Sequence, residues 1–225
     1  MNHEEAIEMM LKNLDDWRNL PKYQMERRVD LFFGPVIRQI VAGHLGYDLE
    51  RIHPLVIPEF PFRYNENGTD SNHTVNFDYV LFSGDLTTMY IVELKTDPDS
   101  YRDEQEKYLI EAAKAGFTEI IDGIDKVMDA TATNKRGKYN YLRGLLAREG
   151  LVSEEGPLAA LKQPTIELLY LGPLPRKRDT AERLKGKFIE LRVAADILTN
   201  TGGVVECRFA EFLREWENAP AGSLQ

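Results

Sequence analysis

Asp78, Glu93 and Lys95 are charged side chains set inside runs that are otherwise apolar and β-forming, Val75-Asn76-Phe77-Asp78-Tyr79-Val80-Leu81-Phe82 and Met89-Tyr90-Ile91-Val92-Glu93-Leu94-Lys95. A charge inside a core strand costs free energy unless it is paired or bound to a metal. The polar stretch Ser83-Gly84-Asp85-Leu86-Thr87-Thr88 between the runs reads as a hairpin connection. Side chains alternate faces along a strand, so Glu93 and Lys95, two apart, share one. With a loop of Gly84 to Thr87 and Ser83 opposite Thr88, Asp78 falls directly opposite Glu93, with Cβ atoms roughly 4.5–5.5 Å apart. A loop one residue shorter or longer puts the two acids on opposite faces. Two carboxylates so close repel, and a hard divalent cation removes the conflict: Mg2+ takes one or two carboxylates together with waters and phosphate oxygens. Lys95 beside them could stabilise charge developing at a phosphoryl group, or orient an attacking water. The competing reading leaves Asp78 at a strand end and Glu93 with Lys95 on a solvated face.

The elements that must hold this hairpin are legible around it. Ile7, Met10, Leu11, Leu14 and Trp17 have helical spacing over residues 4–20, ended by Pro21. A second helix is expected from about Gln24 to Leu45, with Val29, Phe33, Ile37 and Ile40 in its buried stripe and Gly34-Pro35 kinking or dividing it. Residues 55–64 read as a strand that Pro58 and Pro61 confine to an edge or make irregular. Residues 65–74 read as a loop. Beyond the hairpin, 101–131 predicts two helices meeting near Gly116, then a polar basic segment, an amphipathic helix to about Arg148, and a loop over 149–164. Thr165 to Leu171 is an apolar strand. Phe188 to Val193 fits strand or helix, and Phe209 to Trp216 a short helix. The order implies an α/β fold, a mixed sheet flanked by helices.

A chain of 225 residues suffices for one substantial core, and a single domain over 1–225 is the simplest expectation. No apolar run approaches the ~20 residues of a membrane span. Met1-Asn2-His3-Glu4-Glu5 lacks the basic and apolar regions of a signal peptide, and the single Cys207 leaves no intrachain disulfide framework, so a reducing, cytoplasmic location is expected. The net charge of −9 argues against coating nucleic acid by bulk electrostatics, but a nucleic-acid enzyme needs only a local basic surface.

At Asp78 and Glu93-Leu94-Lys95 the chain resembles the PD-(D/E)XK nuclease superfamily, the restriction-endonuclease-like fold, whose signature is an Asp on the second core strand and (Asp/Glu)-x-Lys on the third. The resemblance covers roughly residues 24–171 and implies a core order αβββαβ, with the helix at 4–20 and the elements of 175–217 as additions. It implies Mg2+- or Mn2+-dependent hydrolysis of a phosphodiester, most often in DNA, with Asp78, Glu93 and the Leu94 carbonyl holding the metal and Lys95 assisting the water. Many members add a Glu from the first core helix. Glu26 is the match, with Asp30 as the alternative; an ordinary first-turn acid is the competing reading of Glu26. Some members carry Gln-x-x-x-Tyr on the helix after the motif. Here the stretch is Gln105-Glu106-Lys107-Tyr108, one residue shorter, and Gln105 either faces the site or is a solvated helix residue. A homodimer is open, since many nucleases of this type act as dimers.

Two basic runs could bind phosphates: Lys135, Arg136 and Lys138 with Tyr139 and Tyr141 beside them, and Arg176, Lys177 and Arg178 continuing to Lys187. A solvated charged face is the bland alternative for each. No Cys/His spacing supports zinc, and no phosphate-binding or dinucleotide glycine loop is present. The alternative to a nuclease is a catalytically silent module of the same fold that binds nucleic acid or a protein. A glycosidase-like pair of acids is a weaker third reading, because Lys95 has no role in it.

Overall fold

The computed structural model describes residues 3–17, 25–64, 74–176, 178–183, 187–201 and 203–217, with a few side chains near helix ends, Glu26 among them, left out. Five strands form one sheet in the order β1-β2-β3-β4-β5: β1 (Ile52–Arg63), β2 (Thr74–Ser83), β3 (Thr88–Leu94), β4 (Thr165–Gly172) and β5 (Phe188–Glu190). β2 and β3 are antiparallel and β4 and β5 parallel. The Thr165 N–H donates to Thr87 O, and the Lys95 N–H to Leu171 O, so β3 and β4 run the same way. The sheet is therefore mixed, with helices flanking it. Among the described residues no helix is long and apolar enough to cross a membrane.

The expected elements are present, with informative differences. The first helix is α1 (His3–Trp17). Gly34-Pro35 does divide the second, into α2 (Met25–Phe33) and α3 (Ile37–His44): proline has no N–H for the helical ladder, and the chain turns there through a Gly34 N–H bond to Asp30 O. β1 is an edge strand, as its prolines require, and Glu59 adopts a left-handed φ of 50° within it. α4 (Asp103–Ala130) breaks at Gly116, whose φ of 82° and ψ of 169° are open to glycine at little steric cost. α5 (Gly137–Arg148) follows a 3-10 turn at Thr133–Lys135. α6 (Arg178–Arg183) precedes β5. The ambiguous stretch from Phe188 is both things in succession, three residues of β5 and then α7 (Leu191–Thr201). The last helix, α8 (Val204–Glu217), begins five residues earlier than its apolar spacing suggests.

By packing, the chain falls into two compact units. One comprises 53–93 and 102–168; the other comprises 1–52, 94–101 and 169–225. In the first, Phe77 stacks against Phe60 and Phe62 at ring separations of 6.3 and 5.4 Å, and Phe82 meets Phe117 edge-on at 6.2 Å. β2 is buried at consecutive positions from Tyr79 to Phe82, because helices and strands cover both faces. The second unit is chiefly helical. α7 and α8 pack as a hairpin, Phe33 meets Phe209 edge-on at 5.0 Å, and Gly43 lets α3 approach Ile197 so closely that a Cβ there would lie 2.7 Å from Ile197 Cγ2. Within this unit Arg38 donates to Leu49 O and Ile52 O.

Candidate active site

The hairpin has the register in which the two acids face each other. Tyr79 pairs with Val92, Val80 with Ile91, Leu81 with Tyr90 and Phe82 with Met89. Continued by one step, that register sets Asp78 opposite Glu93, both strand residues, and the connection is the even-numbered Gly84–Thr87. Local hydrogen bonds fix this length. Ser83 Oγ donates to Asp85 Oδ1 at 2.6 Å and accepts from the N–H groups of Thr87 and Thr88 at 3.1 and 2.9 Å. Thr87 Oγ1 also donates to Asp85 Oδ1, at 2.8 Å. The hydrogen bond from Ser83, followed by those from Thr87, holds the Asp85 carboxyl at about 2, below its ordinary 3.8. Leu86, at φ 61°, completes the turn in the left-handed region.

Among the described residues, Glu93 and Lys95 are the only charged side chains that are buried, each 2% exposed. Asp78 is half-buried. Gln105, on the first turn of α4, donates its amide Nε2–H to Glu93 Oε1 at 3.1 Å. This contact brings Gln105 to the carboxylate rather than to solvent, and orients both side chains. The Gln105 amide oxygen is buried and has no hydrogen-bond partner among the described residues, a cost of about 1–3 kcal/mol unless something is bound there. The donor set is thus two opposed carboxylates and a buried amide oxygen, all hard ligands suited to Mg2+ or Mn2+. Among the described residues no three His, Cys, Asp or Glu side chains gather into a metal-holding group.

No family model, curated protein or solved structure matches this chain.

Lys95 follows β3 directly, and its backbone is gripped by β4. Its N–H donates to Leu171 O at 2.8 Å, and Gly172 lies so close that a Cβ there would sit 2.5 Å from Lys95 O and 2.9 Å from Lys95 Cβ. Gly172 lies just past the apolar strand that the sequence marks from Thr165 to Leu171. The available signal was a glycine at a strand end, a common mark of close backbone approach. The Glu26 side chain lies outside the described residues, although its backbone belongs to α2; Asp30 is half-buried on the same helix.

The two basic runs fare differently. Arg176 is ion-paired with Asp99 at 2.8 Å, so its charge is already balanced; Lys177 and the Arg178 side chain lie outside the described residues. Lys135 is exposed. Arg136 turns its guanidinium onto the end of α4, donating to Thr131 O at 2.8 Å and Asp129 O at 2.9 Å, and Lys138 Nζ stands 5.3 Å from the Tyr139 ring centroid.

Proposed function

We propose that this protein is a metal-dependent nuclease that hydrolyses phosphodiester bonds, with DNA as the expected substrate. The observation that carries the reading is a pair of buried charges: among the described residues Glu93 and Lys95 are the only charged side chains that are buried, Glu93 near the end of β3 and Lys95 directly after it, and the β2–β3 register continued by one step sets Asp78 opposite Glu93. Buried ionisable groups gather at functional sites, and that supports the reading. In this reading Asp78, Glu93 and the Leu94 carbonyl hold Mg2+ or Mn2+, which would supply positive charge beside the scissile phosphate and a more acidic bound water. Gln105 keeps the Glu93 carboxylate oriented through its amide N–H. Lys95 holds the attacking water and offsets negative charge as the water oxygen bonds to phosphorus and the ester P–O bond breaks.

The test is cleavage of linear, nicked and single-stranded DNA, and of RNA, with Mg2+ or Mn2+. Asp78→Ala and Lys95→Ala are each expected to lower the rate by about 10²–10⁴-fold. Activity that survives both substitutions would sink the assignment. Cleavage of RNA alone would move the substrate class and leave the chemistry.

A further inference from the structure

We propose that the exposed face of α5 is a docking track for a polynucleotide backbone. This deepens the nuclease reading by naming a substrate-binding surface, and it can be tested without cleavage. Between Ala130 and Arg148 the chain carries Lys135, Arg136, Lys138, Arg143 and Arg148 and no acidic residue, in a protein whose net charge is −9. None of the five has a carboxylate partner among the described residues. Four arginines elsewhere do: Arg176 with Asp99, Arg192 with Glu190, Arg208 with Glu8 and Glu211, and Arg214 with Asp196. Five cations without an ion-pair partner on one short segment that holds no acid make a local basic surface in an acidic protein, fit for a polyanion.

Two of these cations are fixed in place by neutral groups. Arg136 is held by the carbonyls of Thr131 and Asp129. Arg143 donates Nε to Ser153 O at 3.1 Å and Nη1 to Gly156 O at 2.8 Å, while its Nη2 is buried with no acceptor among the described residues. Backbone carbonyls hold a guanidinium in place without neutralising its charge, which adds to the potential of the surface around it. Helical spacing puts Tyr141, Gly144 and Arg148 on the outward face, with Lys138 on one edge and Arg143 on the other. Tyr141 is 70% exposed, a ring free to stack on a base or sugar. Gly144 has nothing within 4 Å of where a Cβ would stand, so the helix backbone is bare there and a phosphate chain can lie close. From Lys138 to Arg148 the helix runs about 15 Å, the rise of roughly four nucleotides along one strand of a duplex. Asp125 and Asp129 line the same cleft as Arg136 and Arg143, so the charge of the track rests chiefly on the exposed Lys135, Lys138 and Arg148.

The experiment is fluorescence anisotropy of the full chain with labelled duplex and single-stranded DNA in EDTA, across about 50–200 mM salt. The variant is Lys135→Gln/Lys138→Gln/Arg148→Gln, checked for an unchanged circular-dichroism spectrum and melting temperature. The control, Lys12→Gln/Lys162→Gln/Arg192→Gln, alters the net charge equally on other exposed positions. The track predicts that the α5 variant loses at least about tenfold in affinity at the lowest salt and that its slope of log K against log salt becomes shallower by about 3, while the control stays within about twofold of the parent. Equal losses in the two variants, or a parent protein that binds no polynucleotide at the lowest salt, would overturn it. A protein that cuts nothing yet loses DNA through α5 removes the nuclease reading alone; one that cuts while its α5 variant keeps full affinity removes the track alone.

Discussion

Gly172→Ala tests the close contact between β4 and Lys95. Real Cβ contacts essentially never fall below 3.0 Å, and the new methyl would sit 2.5 Å from Lys95 O, so the backbone must separate by at least 0.5 Å. No rotamer change relieves this clash, because the obstructing atoms are a carbonyl and a Cβ. Overpacking of this kind costs about 1–3 kcal/mol. Against it stands the gain from restricting the unfolded chain, about 0.4–1 kcal/mol. The clash outweighs that gain, and a net loss of about 1–2 kcal/mol is expected in urea unfolding. The loss should be local at its origin: the Lys95 N–H, bonded to Leu171 O at 2.8 Å, should exchange faster with deuterium, and cleavage should fall because a displacement near 1 Å at a reacting group can cost about 10²-fold. The matched comparison is Gly144→Ala, where open space removes the clash and helix propensity adds up to about 1 kcal/mol of stability. If Gly172→Ala were as stable as the parent and left Lys95 exchange unchanged, the claim that β4 fixes Lys95 would be wrong.

Two further outcomes are expected. Mg2+ at ten times its Kd should stabilise the fold by about 1.4 kcal/mol, seen as a rise in melting temperature of a few degrees that Asp78→Asn and Glu93→Gln abolish; an equal rise in both variants would place the ion elsewhere. The Asp85 carboxyl, held at about 2 by Ser83 and Thr87, is ionised in the fold at a pH where the unfolded chain has taken up its proton. Its contribution is therefore present above the ordinary 3.8 and lost as pH falls through about 2, so the stability difference between the parent and Asp85→Asn should shrink over that window in urea titrations; a difference independent of pH would refute the turn's role.

The hairpin was legible because its information is local. Apolar runs of fixed length, a polar connection and strict alternation leave few registers, and the even-numbered loop selects the one that opposes Asp78 to Glu93. Gly34-Pro35 and Gly116 announced their breaks for the same reason, since backbone constraints travel with the residue type. Gln105 was ambiguous because a helix residue's partner depends on which face meets the sheet, and no spacing rule states that a Gln twelve residues on returns to Glu93. Arg176 looked like part of a basic run, but a run says nothing about Asp99 folding back to meet it. Phe188–Val193 defeated periodicity because three residues of strand are too few to establish a repeat of two.

The break at Gly116 divides α4 in stability as well as in direction. Past it, Phe117, Ile120, Ile121, Ile124 and Met128 are buried, whereas the preceding half buries only Tyr108, Leu109 and Ala112. Cooperative units of opening follow the density of such contacts. The half that carries Gln105 is accordingly the weaker, and the glycine uncouples it, so it can loosen while the far half stays closed over Phe82. The group that orients Glu93 thus rides on the less densely buried half of a divided helix, where local opening would expose the carboxylate to solvent before the core beneath it unfolds.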